Sequence, residues 1–142
     1  MKVKIKKLSD AAVLPKYSSE GAAGADLYNY ESDVTIAPGE TAAIGTGLSV
    51  EIPDGYVGLV FARSGLASKH GLAPANKTGV IDCDYRGEII VMLFNHSSKE
   101  YTVKADERVA QLVIVPYLKC EFEEGETSET ERGCGGFGST GK

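Results

Sequence analysis

Apolar and polar positions alternate with period two along most of the chain, in short stretches. Val3 and Ile5 alternate with lysines. Ile44, Thr46, Leu48, Val50 and Ile52 alternate with Gly45, Gly47, Ser49 and Glu51, which predicts one strand with two unlike faces. Apolar runs over Tyr56–Phe61, Glu88–Phe94 and Val109–Val115 predict three more strands, and Val34–Ile36 and Tyr101–Val103 two shorter ones. Turn chemistry separates them: Ala-Pro-Gly-Glu at 37–40, Ile-Pro-Asp-Gly at 52–55, Asn-His-Ser-Ser at 95–98 and Lys-Ala-Asp-Glu at 104–107. The only helical turn in the pattern is Ser64 to Lys69. Short strands at roughly ten-residue spacing predict an all-β sandwich, barrel or jelly roll.

The pattern fades near Glu121. Residues 121–131 are acidic and polar with almost nothing to bury, so we expect a core over residues 1–120 and a C-terminal arm over 121–142. Glycine is in excess, 17 of 142 residues or about 12% against a usual ~7%. That argues against a helix bundle and for tight turns or close backbone approach. The net charge of −5 ranks nucleic-acid binding low. Three dispersed cysteines, no CxxC pair and two histidines speak against a disulfide scaffold or structural zinc site. The basic start MKVKIKKL leads into no apolar run, and Leu112–Val115 is far too short to span a membrane. The expected setting is the cytoplasm.

Several segments carry candidate chemistry. Arg63-Ser64-Gly65 follows a strand and offers N–H groups, a hydroxyl and a guanidinium to an anionic oxygen, although the segment taken alone reads better as an N-cap serine beside a surface arginine. Gly79 to Glu88, followed by a strand, reads as a hairpin with Asp82 and Asp84 at its tip. Such a carboxylate can deprotonate a water, hold a divalent cation, or merely decorate a polar turn. Asp26 in Ala-Gly-Ala-Asp-Leu (23–27) and Gln111 in Arg-Val-Ala-Gln (108–111) lie in or near apolar segments, where each needs a polar partner. The tail Arg132-Gly-Cys-Gly-Gly-Phe-Gly-Ser-Thr-Gly141 places an arginine, an aromatic ring and two hydroxyls among five glycines, a composition that can wrap a phosphate.

Taken in order, these five segments resemble the five motifs of the trimeric dUTPase (deoxyuridine triphosphatase) family, over nearly the whole chain. The resemblance implies a distorted jelly-roll β-barrel and a homotrimer. Three active sites would lie at subunit interfaces, each drawing on all three chains. The reaction implied is dUTP plus water to dUMP and diphosphate with Mg²⁺, which supplies dUMP for thymidylate synthesis and keeps uracil out of DNA.

The resemblance also implies roles. Asp82 would be the general base, and Asp26 would hold Mg²⁺ through water. Arg63, Ser64, Gly65 and Gln111 would bind phosphate oxygens. Asn76 and the backbone at Gly79, Val80, Ile81 and Ile90 would read uracil, and Tyr85 would pack on deoxyribose. Arg132, Gly138, Ser139 and Thr140 would close on the β/γ end, with Phe137 stacked on the base. Two other outcomes of this fold stand beside that one. A dCTP deaminase would need a different base-reading set and lacks the glycine-rich tail. A non-catalytic regulator would not need an intact Asp82 and tail.

Overall fold

A computed structural model describes residues 1–136; Phe137, Gly138, Ser139 and Thr140 of the expected site lie outside the described residues. Twelve strands and one helix follow in order: β1 (Lys4–Lys7), β2 (Lys16–Tyr17), β3 (Ala25–Tyr28), β4 (Val34–Ile36), β5 (Thr41–Gly45), β6 (Leu48–Glu51), β7 (Tyr56–Ala62), α1 (Ser64–His70), β8 (Leu72–Pro74), β9 (Gly79–Ile81), β10 (Ile90–Asn95), β11 (Tyr101–Val103) and β12 (Arg108–Pro116). They form four antiparallel sheets: β1-β6, β5-β10-β8, β11-β4 and β2-β3-β12-β7-β9. The sheets close round one apolar core as a distorted jelly-roll barrel. Leu27, Ile44, Leu48, Leu93 and Val103 at its centre are fully sealed from solvent.

Two predicted elements come out differently. The alternation over Ile44–Ile52 is split between β5 and β6, which lie in different sheets. Gly47 turns the chain there at φ +64°, where a Cβ would strike Ala12 and Tyr30. Neighbours then cover both faces: Thr46 and Ser49 are buried along with Ile44 and Val50. The segment from Gly79 is also not a hairpin. Its first leg, β9, pairs with β7, and its second, β10, pairs with β5 and β8. Each leg finds a better partner elsewhere, so the two splay apart and the loop between them bridges two sheets.

The other differences are smaller. Strands β2, β3 and β8 are too short, or too interrupted by Asp26 and Pro74, to register as periodic runs. Helix α1 is capped by Arg63 in extended backbone rather than by Ser64, and ends at Gly71 (φ +68°), whose N–H returns to Ala67 and Leu66. Beyond β12 the Tyr117 N–H donates to the Gly55 carbonyl at 3.1 Å. From there to Cys134 the chain is exposed and without strand or helix.

Candidate active site

The five-stranded sheet positions four of the five motifs. On one of its faces Asp26 of β3 stands opposite Gln111 of β12, which stands opposite Phe61 of β7. Gly24 lets Gln111 lie close: a Cβ there would come within 3.1 Å of the glutamine's own Cβ. Asp26 is only 2% exposed. A carboxylate so buried needs charged partners, and it has two. Arg63 Nε donates to Oδ1 at 2.9 Å and Arg108 Nη1 to Oδ2 at 3.2 Å, while Arg63 Nη1 also reaches the Arg108 carbonyl at 3.3 Å. Ser64 and Gly65 follow Arg63 in the exposed first turn of α1. A Cβ at Gly65 would meet nothing within 4 Å, so the chain's own packing does not demand a glycine there.

The second group of residues surrounds the splayed legs. A cavity of about 230 Å³ lies between β9 and β10, lined by Asn76, Gly79, Val80, Ile81, Asp82, Tyr85 and Ile90, and also by Pro74, Glu88 and Met92. Pockets for drug-sized ligands run from ~300 Å³ upward, so this one suits a single ring and its sugar. Among the described residues strand β9 pairs only with β7, which leaves its other edge free of them. Strand β10 meets β8 only over Leu93–Asn95, which leaves Ile90 and Val91 unpaired on that side. Free backbone donors and acceptors therefore border the cavity from both legs. Gly79 sits under the Asn76 amide, 3.6 Å from where its Cβ would be.

Asp82 and Asp84 are both exposed at the loop. The Asp82 carbonyl accepts the Tyr85 N–H at 3.2 Å. Arg86 Nη1 donates to the Cys83 and Tyr85 carbonyls at 2.7 and 2.9 Å. Arg86 is thus spent on holding the turn, which separates it from Arg63 and Arg108. Arg132 is exposed on the arm, its Nε on the Gly135 carbonyl at 2.8 Å.

Register sets the distance between the two groups. Ile81 pairs with Gly58, so Asp82 falls level with Val57. Gln111 and Asp26 fall level with Phe61, and Arg63 lies two residues further on. At ~3.3 Å per residue, Asp82 is about 13 Å along the sheet from Gln111 and about 20 Å from Arg63. Within one chain, the structure brings Asp26, Arg63, Arg108 and Gln111 together, and Asn76, Gly79–Asp82, Tyr85 and Ile90 together, but does not join the sets. Between them the sheet's outer face is apolar: Val57, Leu59 and Phe61 stand beside Val115, Val113 and Val80.

A family model described as dUTPase matches residues 10–141. The chain belongs to the dUTPase family. Its curated relatives include the deoxyuridine 5'-triphosphate nucleotidohydrolases of Nautilia profundicola, 54% identical with all of both chains covered, and of a Hydrogenobaculum species, 49% identical with 99% of each covered. The Staphylococcus bacteriophage 80alpha dUTPase with dUPNHPP superimposes with a TM-score of 0.91 at 34% identity over 99% of each chain. The D95N dUTPase of phage phi11 of S. aureus, a structure concerned with coordination of a structural Mg(II) ion, gives 0.81 at 29% identity. It covers 89% of this chain and 98% of that one.

Sequence reasoning missed three parts of this dUTPase's candidate site. Arg108 stood in the fourth motif without a role of its own. Pro74, Glu88 and Met92 line the cavity because β10 diverges from β9, which periodicity does not reveal. The separation of the two sets follows from strand register, which one sequence does not state.

Proposed function

We infer that the protein hydrolyses dUTP to dUMP and diphosphate. The observation that carries this, alongside family membership, is the ring-sized cavity bordered by two free strand edges. Uracil presents an N3–H donor between two carbonyl acceptors. A backbone carbonyl taking N3–H and backbone N–H groups donating to the carbonyls match it, while cytosine inverts the pattern and leaves buried groups unpaired at ~1–3 kcal/mol each. Gly79, Val80, Ile81 and Ile90 supply these backbone groups, with Asn76 beside them. Tyr85 packs against the deoxyribose.

Asp82, exposed beside the cavity, takes the proton from a water. The water's oxygen bonds to the α-phosphorus as the bond to the bridging oxygen breaks, and diphosphate leaves. Such base catalysis contributes about 10²–10⁴-fold. Arg63, Ser64, Gly65 and Gln111 hold phosphate oxygens. Arg132, with Gly138, Ser139 and Thr140, closes on the β/γ end, and Phe137 stacks on the base; these last assignments rest on the sequence motif. Together residues 121–142 act as an arm on the core of residues 1–120.

Among the described residues no three His, Cys, Asp or Glu side chains converge as a metal site. Asp26 spends two of a carboxylate's roughly four lone-pair positions on arginines and keeps capacity for a metal-bound water. A Mg²⁺ ion arriving with the triphosphate, held through water by Asp26, would neutralise phosphate charge. Localisation in the cytoplasm fits three free thiols, two of them exposed. Among the described residues no helix is long and apolar enough to cross a membrane.

The about 20 Å between Asp82 and Arg63 cannot close on one α-phosphate within a chain. A homotrimer in which one subunit's loop faces a neighbour's Asp26–Arg63 cluster, with a third supplying its arm, joins the two sets. It also covers the apolar strip between them. Diphosphate release from dUTP, compared with dCTP, dTTP and UTP, tests the reaction and both selectivities; ammonia released from dCTP without diphosphate would point to the deaminase branch. Mixing inactive Asp82→Asn with inactive Arg63→Ala subunits after joint refolding tests the shared site. Activity returns if sites are shared and stays absent if each chain carries its own.

A further inference from the structure

The leg of the loop that returns from Tyr85 is not part of a regular ladder, yet four hydrogen bonds fasten it to the 46–49 segment. Ile89 N–H donates to the Leu48 carbonyl at 2.8 Å. The other three use side chains. Thr46 Oγ1 donates to the Ile89 carbonyl at 2.7 Å, and Ser49 Oγ to the Arg86 carbonyl at 2.8 Å. The Glu88 carboxylate accepts the Gly47 N–H at 2.7 Å. Thr46 and Ser49 are 1% and 6% exposed, so their hydroxyls are committed to these bonds.

What this leg carries is the Tyr85 ring. Tyr85 Oη donates to the Glu88 carbonyl at 2.9 Å. The ring lies across Gly87, where a Cβ would run into Tyr85 Oη and come within 2.9 Å of Cε2. Glycine is needed there for the ring's position, not for the backbone, because Gly87 is not among the positive-φ residues. Tyr85 is still 45% exposed, so packing alone does not fix its ring.

We propose that Thr46 and Ser49 are positioning residues for sugar selectivity: they hold residues 86–89 so that Glu88 and Gly87 keep the Tyr85 ring where it excludes a 2′-hydroxyl. The proposal rests on the assignment of Tyr85 to the deoxyribose. An aromatic wall rejects an added hydroxyl only while it cannot yield, and a displacement near 1 Å at a reacting site can cost about 10²-fold.

The test is the ratio of kcat/KM for dUTP over UTP, read by diphosphate release on the full-length protein. Tyr85→Ala is the reference and should collapse the ratio. The Thr46→Val, Ser49→Ala pair, nearly isosteric, should lower it about 10-fold, mainly by improving UTP, since the wall then yields to the extra hydroxyl. Ser49→Thr, which keeps the hydroxyl, should restore most of it. Thr46→Val and Ser49→Ala made singly each remove one hydroxyl and should each lower the ratio several-fold, so the proposal is tested even if the double variant folds poorly. An unchanged ratio in the double variant, or in both single variants where the double variant does not fold, with a collapsed ratio in Tyr85→Ala, overturns the positioning role alone. An unchanged ratio in Tyr85→Ala overturns the Tyr85 assignment and the proposal with it.

Discussion

Two acidic residues of this protein, Asp26 and Asp82, sit in opposite physical settings. Asp26 is sealed on the sheet, with both carboxylate oxygens on arginines. Asp82 is exposed at a loop, beside strand edges that none of the described residues pairs. In the first region the carboxylate is fully partnered before any substrate arrives, and its two arginines leave one positive charge over. The second is unsatisfied by design of its topology, because its legs belong to different sheets. A pre-organised cluster with one positive charge over suits holding phosphate oxygens. Open donors and acceptors beside an accessible carboxylate suit recognition and chemistry.

The contrast breaks most visibly at Asp82. Asp82→Asn should cut dUTP turnover by about 10²–10⁴-fold while dUTP binding and thermal stability stay near the parent's. Steady-state diphosphate release, dUTP titration and a melting curve check all three together. A large fall in melting temperature would make Asp82 another structural carboxylate. Removing residues 132–142 should come next, with a folded core of unchanged melting temperature and poor turnover. An unfolded product would make the tail part of the core rather than an arm.

Asp26→Asn should behave the other way, losing stability as well as activity. Arg63 and Arg108 keep 22% and 45% of their side chains exposed. Water therefore screens the cluster, and the loss should be about 1–2 kcal/mol in denaturant melts rather than the ~3–5 kcal/mol of a sealed pair.

The smallest effect sharpens the same scale. Asp33 also carries an ion pair, to Lys104 at 2.7 Å, but at the surface. The Lys104 hydrogen bond, then the Ala105 N–H, holds its carboxyl below the usual carboxylate range. A lowered folded value means the contribution is present above the ordinary carboxylate value near ~4 and is lost as pH falls through the folded one. Asp33→Asn should cost much less neutral stability than Asp26→Asn, and flatten the acid limb of stability against pH by that same small amount, with no change below the folded value. A neutral-pH loss matching that of Asp26→Asn would erase the distinction between the two pairs.

The legibility of the site followed the same division. Strands with internal periodicity, such as Tyr56–Ala62 and Arg108–Pro116, were readable because alternation or a long apolar run records burial directly. Strands of two to four residues were not, since Lys16–Tyr17 or Leu72–Pro74 is a strand only because a neighbour lies beside it. The motif residues were legible as a set by their resemblance to a family. Their partners were not: nothing along the chain says that Asp26 meets Arg108, eighty-two positions away.

By itself the sequence determined the all-β class, the family and the chemical types at the site, because side-chain chemistry and short-range periodicity are local properties. The tertiary structure alone decided three further things. It split the Ile44–Ile52 alternation at Gly47, opened the supposed hairpin into a cavity, and put about 20 Å between Asp82 and Arg63. All three depend on which strand pairs with which and in what register. Those pairings are long-range competitions among edges, which no stretch of the chain records on its own.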